Sequence, residues 1–106
     1  MTAKSQKKLH PKVQILINDL KRYQPAKIIL FGSYARGNPS AESDVDLLVI
    51  KKTSKKRPER IKEVVRLLSH RVPSDVIILT PEEFKQAQKE PNYFMREVLN
   101  YGRVIT

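Results

Sequence analysis

No cysteine occurs in the 106-residue chain, which excludes disulfides and thiolate metal sites together. No stretch approaches the roughly 20 apolar residues that a membrane helix needs, so no membrane partner is expected. The first twelve residues carry four lysines but lead into no signal-type apolar core, and a cytoplasmic protein is expected. Acidic residues are scarce, 11 against 21 basic ones, and the formal net charge of +10 calls for anionic company. Much of that excess lies between Lys51 and Arg71, where nine basic residues face only Glu59 and Glu63. No aromatics interleave these cations as a single-strand platform requires, so weak, unspecific nucleic-acid binding at most is expected. Internal repeats, low-complexity segments and a second domain are also missing.

What is present is a hydrophobic share of 40% in periodic blocks, the mark of a folded chain. The blocks make one domain over residues 1–106, with 1–9 a loose basic tail. Pro11 suits a first helical position, and Val13, Leu16, Ile17 and Leu20 recur at helical spacing, so a helix is expected from Pro11 to about Tyr23. Residues 27–31 and 45–50 read as strands. The second is apolar on both faces and therefore central. A helix opening at Pro58 has the apolar stripe Ile61, Val64, Val65 and Leu68, and a third strand covers 75–79. Thr80 and Glu83 have the spacing of a capping box, for a helix ending near Lys89. A last helix over about residues 92–100 is stopped by Gly102, before a short edge strand at 103–106. Its apolar surplus, which includes Tyr93, Phe94 and Tyr101, suits core packing or an interface. His10 and His70 lack metal-ligand spacing and are expected at the surface.

The chemistry lies between the first two strands. Gly32-Ser33 ends the first and, ten residues later, Asp44-Val45-Asp46 opens the second. Side chains alternate along a strand, so Asp44 and Asp46 project to one side, about 6 to 7 Å apart along the chain. Two such carboxylates can share divalent cations, and a metal pair about 3.5 to 4 Å apart can hold a nucleoside triphosphate and an attacking hydroxyl in line. Gly32 has no side chain to block a phosphate, and Ser33 adds a hydroxyl beside the N–H groups that open a very short helix over 33–36. The reaction implied is phosphoryl or nucleotidyl transfer. Arg36 could reach a triphosphate oxygen, cap the acidic cluster, or form a structural ion pair. Ser43 could hydrogen-bond a neighbouring carboxylate. Tyr34 could face the nucleotide or pack over the sheet edge.

Gly32-Ser33, ten residues, then Asp44-x-Asp46 resembles the nucleotidyltransferase superfamily typified by DNA polymerase beta, kanamycin nucleotidyltransferase and the CCA-adding enzymes. The longer strings Phe-Gly-Ser-Tyr-Ala-Arg-Gly and Ser-Asp-Val-Asp-Leu-Leu-Val resemble its smallest branch, the minimal nucleotidyltransferases, commonly the antitoxin half of a pair with a helical HEPN ribonuclease. The resemblance implies an α+β fold, a small mixed β-sheet flanked by helices. It implies a third carboxylate, Asp75, as a catalytic residue beside Asp44 and Asp46, all three holding Mg²⁺, two ions in the full site. Asp75 would also take up or orient the proton of the incoming hydroxyl. Gly32, Ser33, Arg36 and Ser43 become the nucleotide-binding set. ATP is the implied donor, and a tyrosine of a HEPN toxin the implied acceptor. The alternatives are an antitoxin that only binds its toxin, and transfer to RNA or a small molecule. Larger relatives carry a further helical domain, so a partner protein or a second copy of the chain is expected to supply the missing surface.

Overall fold

The computed structural model describes residues 8–69 and 72–106. Most of the expected basic tail, and His70, lie outside the described residues. The elements run α1 (Pro11–Leu20), a 3-10 turn (Lys21–Tyr23), β1 (Lys27–Phe31), α2 (Ser33–Arg36), β2 (Val45–Ile50), α3 (Arg57–Leu67), β3 (Ser74–Leu79), α4 (Pro81–Lys89), α5 (Tyr93–Tyr101) and β4 (Arg103–Val104). The strands form one mixed sheet in the order β3-β2-β1-β4. β1 is antiparallel to both of its neighbours, while β2 and β3 run parallel. The antiparallel step needs only the α2 turn, and the parallel step needs a crossover, which α3 supplies.

Strand alternation distributes the core over both faces of the sheet. Ile28, Leu30, Val45, Leu47 and Val49 meet the buried stripe of α1, namely Val13, Leu16, Ile17 and Leu20. The intervening residues Ile29, Phe31, Leu48 and Ile50 meet Met95 and Val98 of α5, with Phe84 of α4 packed against them. β2 is central and covered on both sides, as its continuous apolar run requires. Tyr34 resolves to packing: it is buried in the α1 face and meets the ring of His10 edge-on at 5.0 Å. His10 is exposed, as expected, and its Nδ1 also caps α1 by accepting from Lys12 N at 3.1 Å.

The stripe expected on α3 is corrected. Val64 is buried, but Ile61 and Val65 are 51% and 45% exposed, while Arg60 is only 5% exposed. Helical spacing alone put Ile61 inside. The helix is instead turned so that Arg60 faces the sheet end, where its guanidinium donates to Lys55 O at 2.7 Å, Ile78 O at 3.3 Å and Glu83 Oε1 at 2.7 Å. Ile61 and Val65 are left lining a shallow apolar cleft with Val76 and Ile78 beside edge strand β3.

Glu83 has two tasks. It also closes the expected capping box, accepting from Thr80 N at 2.8 Å while Thr80 Oγ1 accepts from Glu83 N at 3.1 Å. One carboxylate therefore starts α4 and neutralises the buried cation of α3. Its pKa is held below the usual carboxylate range, chiefly by the hydrogen bond from Arg60. A lowered folded-state pKa contributes stability above the ordinary value of about 4.5, lost as pH falls through the lowered one. Glu83→Ala should cost about 3 kcal/mol in urea unfolding at neutral pH, because it leaves Arg60 buried without a carboxylate. Adding Arg60→Met to that variant should recover much of the loss, and the acid-side slope of stability should flatten in both.

Candidate functional site

β1 carries the chain to Phe31, directly opposite Asp46 of β2. Gly32 then reverses it at φ 73° and ψ −158°, a region essentially restricted to glycine. A Cβ here would collide with Asp46 Oδ2, so the missing side chain is what leaves the carboxylate room. The Gly32 carbonyl accepts from Ala35 N at 3.0 Å and Arg36 N at 3.1 Å, which winds α2. Gly37, at φ 84°, ends it.

A cavity of about 440 Å³ opens at this end of the sheet, lined by Gly32, Ser33, Arg36, Ser43, Asp44 and Asp46 on one side. Tyr93, Phe94 and Glu97 of α5 complete it, with Phe31. The structure thus brings together six of the seven residues singled out from the sequence. The seventh, Asp75, does not line the cavity. It stands beside Asp46 in the parallel register of β3 and β2, on the same face of the sheet. Among the described residues no three acidic or imidazole groups stand close enough, as placed, to cage an ion.

The electrostatics of the cluster follow from burial and then from crowding. Asp46 has its pKa raised to about 6, first by burial and then by the carboxylates of Asp75 and Asp44, against a smaller opposing effect of Arg36. Arg36 is itself engaged. Its Nη1 donates to both oxygens of Glu97 at 2.8 Å, and its guanidinium lies 5.9 Å over the ring of Tyr101. The ion-pair alternative for Arg36 therefore holds in this state, and only one of its nitrogens is used for it. Ser43 Oγ accepts from Ser40 N at 2.8 Å and meets Ser40 Oγ at 3.1 Å, so it ties the 40–43 loop together rather than holding a carboxylate.

Tyr93 and Glu97 escaped the sequence reading as site residues. Nothing in their local pattern marks them: they are i and i+4 on a helix about fifty residues beyond Asp46, and only folding puts them at the cavity. Tyr93 is 72% exposed at its rim and donates to Glu97 Oε1 at 3.3 Å.

The family model of the nucleotidyltransferase domain matches residues 13–105, which include every residue of this cavity. The chain belongs to that family. Two curated relatives come from Methanocaldococcus jannaschii. "Putative protein adenylyltransferase MJ0141" is 38% identical over 76 residues, 72% of this chain and 74% of the relative. "Putative protein adenylyltransferase MJ0604" is 36% identical over 97 residues, 88% of this chain and 93% of the relative. Among solved structures, a toxin-antitoxin crystal structure with AMP-PNP aligns at TM-score 0.58 and 21% identity, covering 90% of this chain and 72% of that one. A toxin-antitoxin MntA-HpeT structure aligns at TM-score 0.57 and 22% identity, covering 93% and 73%. At such identities the structures establish the shared fold: the expected mixed sheet flanked by helices is the nucleotidyltransferase fold.

For this nucleotidyltransferase, two substitutions probe the crowded end of the sheet. Gly32→Ala should destabilise by about 1–3 kcal/mol from its backbone conformation alone and should also abolish nucleotide binding, since the new Cβ displaces the Asp46 carboxylate. Asp46→Asn should do the opposite to metal-free stability. The folded-state pKa of Asp46 lies above the ordinary 3.8, so without metal the native state loses stability as pH rises from about 4 to about 6 and stays lower beyond. At about pH 7.5 the asparagine variant should gain on the order of 1 kcal/mol in chemical unfolding, a figure kept small by solvent screening. The two proteins should converge below about pH 4.

Proposed function

We propose that this nucleotidyltransferase moves AMP from ATP to an acceptor hydroxyl, a tyrosine of a HEPN-type toxin that it restrains. The observation that carries the reading is the register of three strands. Asp46 sits between Phe31 and Asp75, next to a glycine whose lack of a side chain opens the space over its carboxylate. The names of the two methanococcal relatives support AMP transfer to protein. The fold likeness to toxin-antitoxin structures supports the partner.

The donor set is all carboxylate oxygen, which suits a hard divalent cation such as Mg²⁺. Burial first, and then the carboxylates of Asp75 and Asp44, disfavour the charged form of Asp46, and a bound cation would favour it. Asp44, Asp46 and Asp75 would hold it, and when bound it supplies charge neutralisation at the triphosphate and lowers the pKa of the attacking hydroxyl. The remaining roles belong to the chain. Gly32 and Ser33 admit the phosphates along the α2 turn, where a larger residue would close the cavity. Arg36 offers its unused guanidinium donors to a phosphate oxygen while Glu97 keeps the group in place. Tyr93 presents an open ring at the rim, against which a purine can stack. The acceptor oxygen attacks the α-phosphorus, the bond to the β-phosphate oxygen breaks, and pyrophosphate leaves. Asp75, exposed at the start of β3, would accept the proton.

Intact-mass measurement of a co-expressed helical toxin tests the reading. Toxin from cells with the parent chain should be heavier by one or more AMP units on tyrosine. Asp44→Asn with Asp46→Asn should abolish the gain. Those variants should also lose the Mg²⁺-ATP stabilisation of the parent, about 2.7 kcal/mol at a hundredfold excess over Kd. Protection of cells by the double variant, with no mass gain on any tyrosine, would leave a toxin-binding protein without transfer. Asp75→Asn should keep part of the ATP stabilisation while losing most turnover, and unchanged turnover would remove Asp75 from the reaction.

A further inference from the structure

The opposite end of the sheet carries a second cavity, of about 560 Å³, where the Lys21–Tyr23 turn meets the exit of β2 and the flank of α3. Lys51 follows Asp46 by five strand positions, which separates the two cavities by roughly 15 Å. Arg22, Lys51, Lys55 and Arg66 line it, against the single carboxylate of Glu63.

Three observations distinguish this cavity from a merely solvated basic face. Lys51 is fixed in place: its Nζ donates to Tyr23 O at 2.6 Å and Gln24 O at 3.3 Å and lies 4.8 Å over the Tyr23 ring. Those carbonyls are turned toward it by Gln24, which adopts φ 56° and ψ 54°, the one non-glycine positive φ among the described residues. Strain of this kind persists where the surroundings hold it. Second, donors outnumber acceptors. Lys55 Nζ takes up the one carboxylate, donating to Glu63 Oε2 at 2.8 Å, but Arg22 uses only one guanidinium nitrogen on Leu67 O at 3.0 Å, Thr53 Oγ1 accepts from Lys55 N and keeps its own hydrogen, and Arg66 has no ion pair among the described residues. Third, Tyr23, 6% exposed and part of the lining, has a buried hydroxyl without a hydrogen-bond partner.

We propose that this cavity is a second, metal-independent binding site for a small polyphosphate anion, either inorganic pyrophosphate or the phosphate chain of a nucleotide. Arg22 and Arg66 bring guanidinium groups to its lining beside the carbonyl-held Lys51 and the Glu63-paired Lys55, and guanidinium donors match phosphate oxygens in pairs. A single carboxylate ligand would leave most of these charges unanswered. The volume is that of a nucleotide-sized ligand. RNA is the poorer fit, because the one aromatic ring in the lining is buried and covered by Lys51, leaving no face for a base. The site is independent of transfer activity and goes beyond the function proposed above.

The full chain in EDTA separates the two cavities, since without a cation the aspartate cluster repels phosphate. Pyrophosphate, ATP, AMP and a single-stranded oligoribonucleotide are titrated while backbone amides are followed by NMR. Pyrophosphate and ATP should shift Lys51, Thr53 and Arg66 and leave Ser33 unmoved, with AMP at least tenfold weaker. If pyrophosphate binds as tightly as ATP, the phosphate chain is the whole ligand; tighter ATP binding identifies the nucleotide. Lys55→Gln with Arg66→Gln, both exposed positions, should weaken pyrophosphate at least tenfold with an unchanged thermal midpoint. Lys52→Gln with Lys62→Gln, the same loss of charge away from the cavity, should change affinity less than threefold. Shifts confined to Ser33 and its neighbours, equal weakening by both variant pairs, or binding of the oligoribonucleotide in preference to pyrophosphate would each overturn the proposal.

Discussion

Everything at the Gly32–Asp46 end of the sheet depends on the pairing of β1 with β2. That register sets Phe31 opposite Asp46 and forces the next residue, Gly32, to turn immediately over a carboxylate. No other residue type tolerates both the backbone angles and the space. The parallel addition of β3 then places Asp75 beside Asp46 on the same face. Negative charge is thereby concentrated where a chain with an excess of lysine and arginine is otherwise positive, and Asp46 records the cost as a raised proton affinity. A site that resists its own charge is one that a cation relieves.

The rest of the fold keeps that crowding supportable. β2 is sealed by α1 on one face and α5 on the other, so the strand that bears Asp46 cannot shift register without exposing its whole apolar set. α5 has a second role, since the helix that buries Met95 and Val98 toward the sheet presents Tyr93 and Glu97 to the cavity. Packing and recognition thus share one helix. At the other end of the sheet the charge pattern inverts. Arg60 is buried against Glu83, and Lys51 is pinned by backbone carbonyls, so cations there are held in place by fixed partners.

The match to the nucleotidyltransferase domain spans residues 13–105, so the glycine turn, the two strands it joins and α5 all lie within that domain. α5 adds the aromatic rings of Tyr93 and Phe94 to Phe31 in the lining of the cavity.

Much of this was legible in the residues themselves. The spacing of Gly32, Ser33, Asp44 and Asp46 named the chemistry because it combines a turn that only glycine makes with a strand that must alternate its faces. The helix starts at Pro11 and Thr80 and the central position of β2 followed equally from local rules, since caps and two-sided apolar runs are properties of short segments. The orientation of α3 did not. Arg60 displaced Ile61 and Val65 from the interior because the Glu83 carboxylate and the Ile78 carbonyl, distant in sequence, await it beside the nearer carbonyl of Lys55. Ser43 turned to its own loop, Arg36 found Glu97, and Tyr93 came to the rim for the same reason. Periodicity and spacing determine which residues share a face; only tertiary packing decides what that face meets.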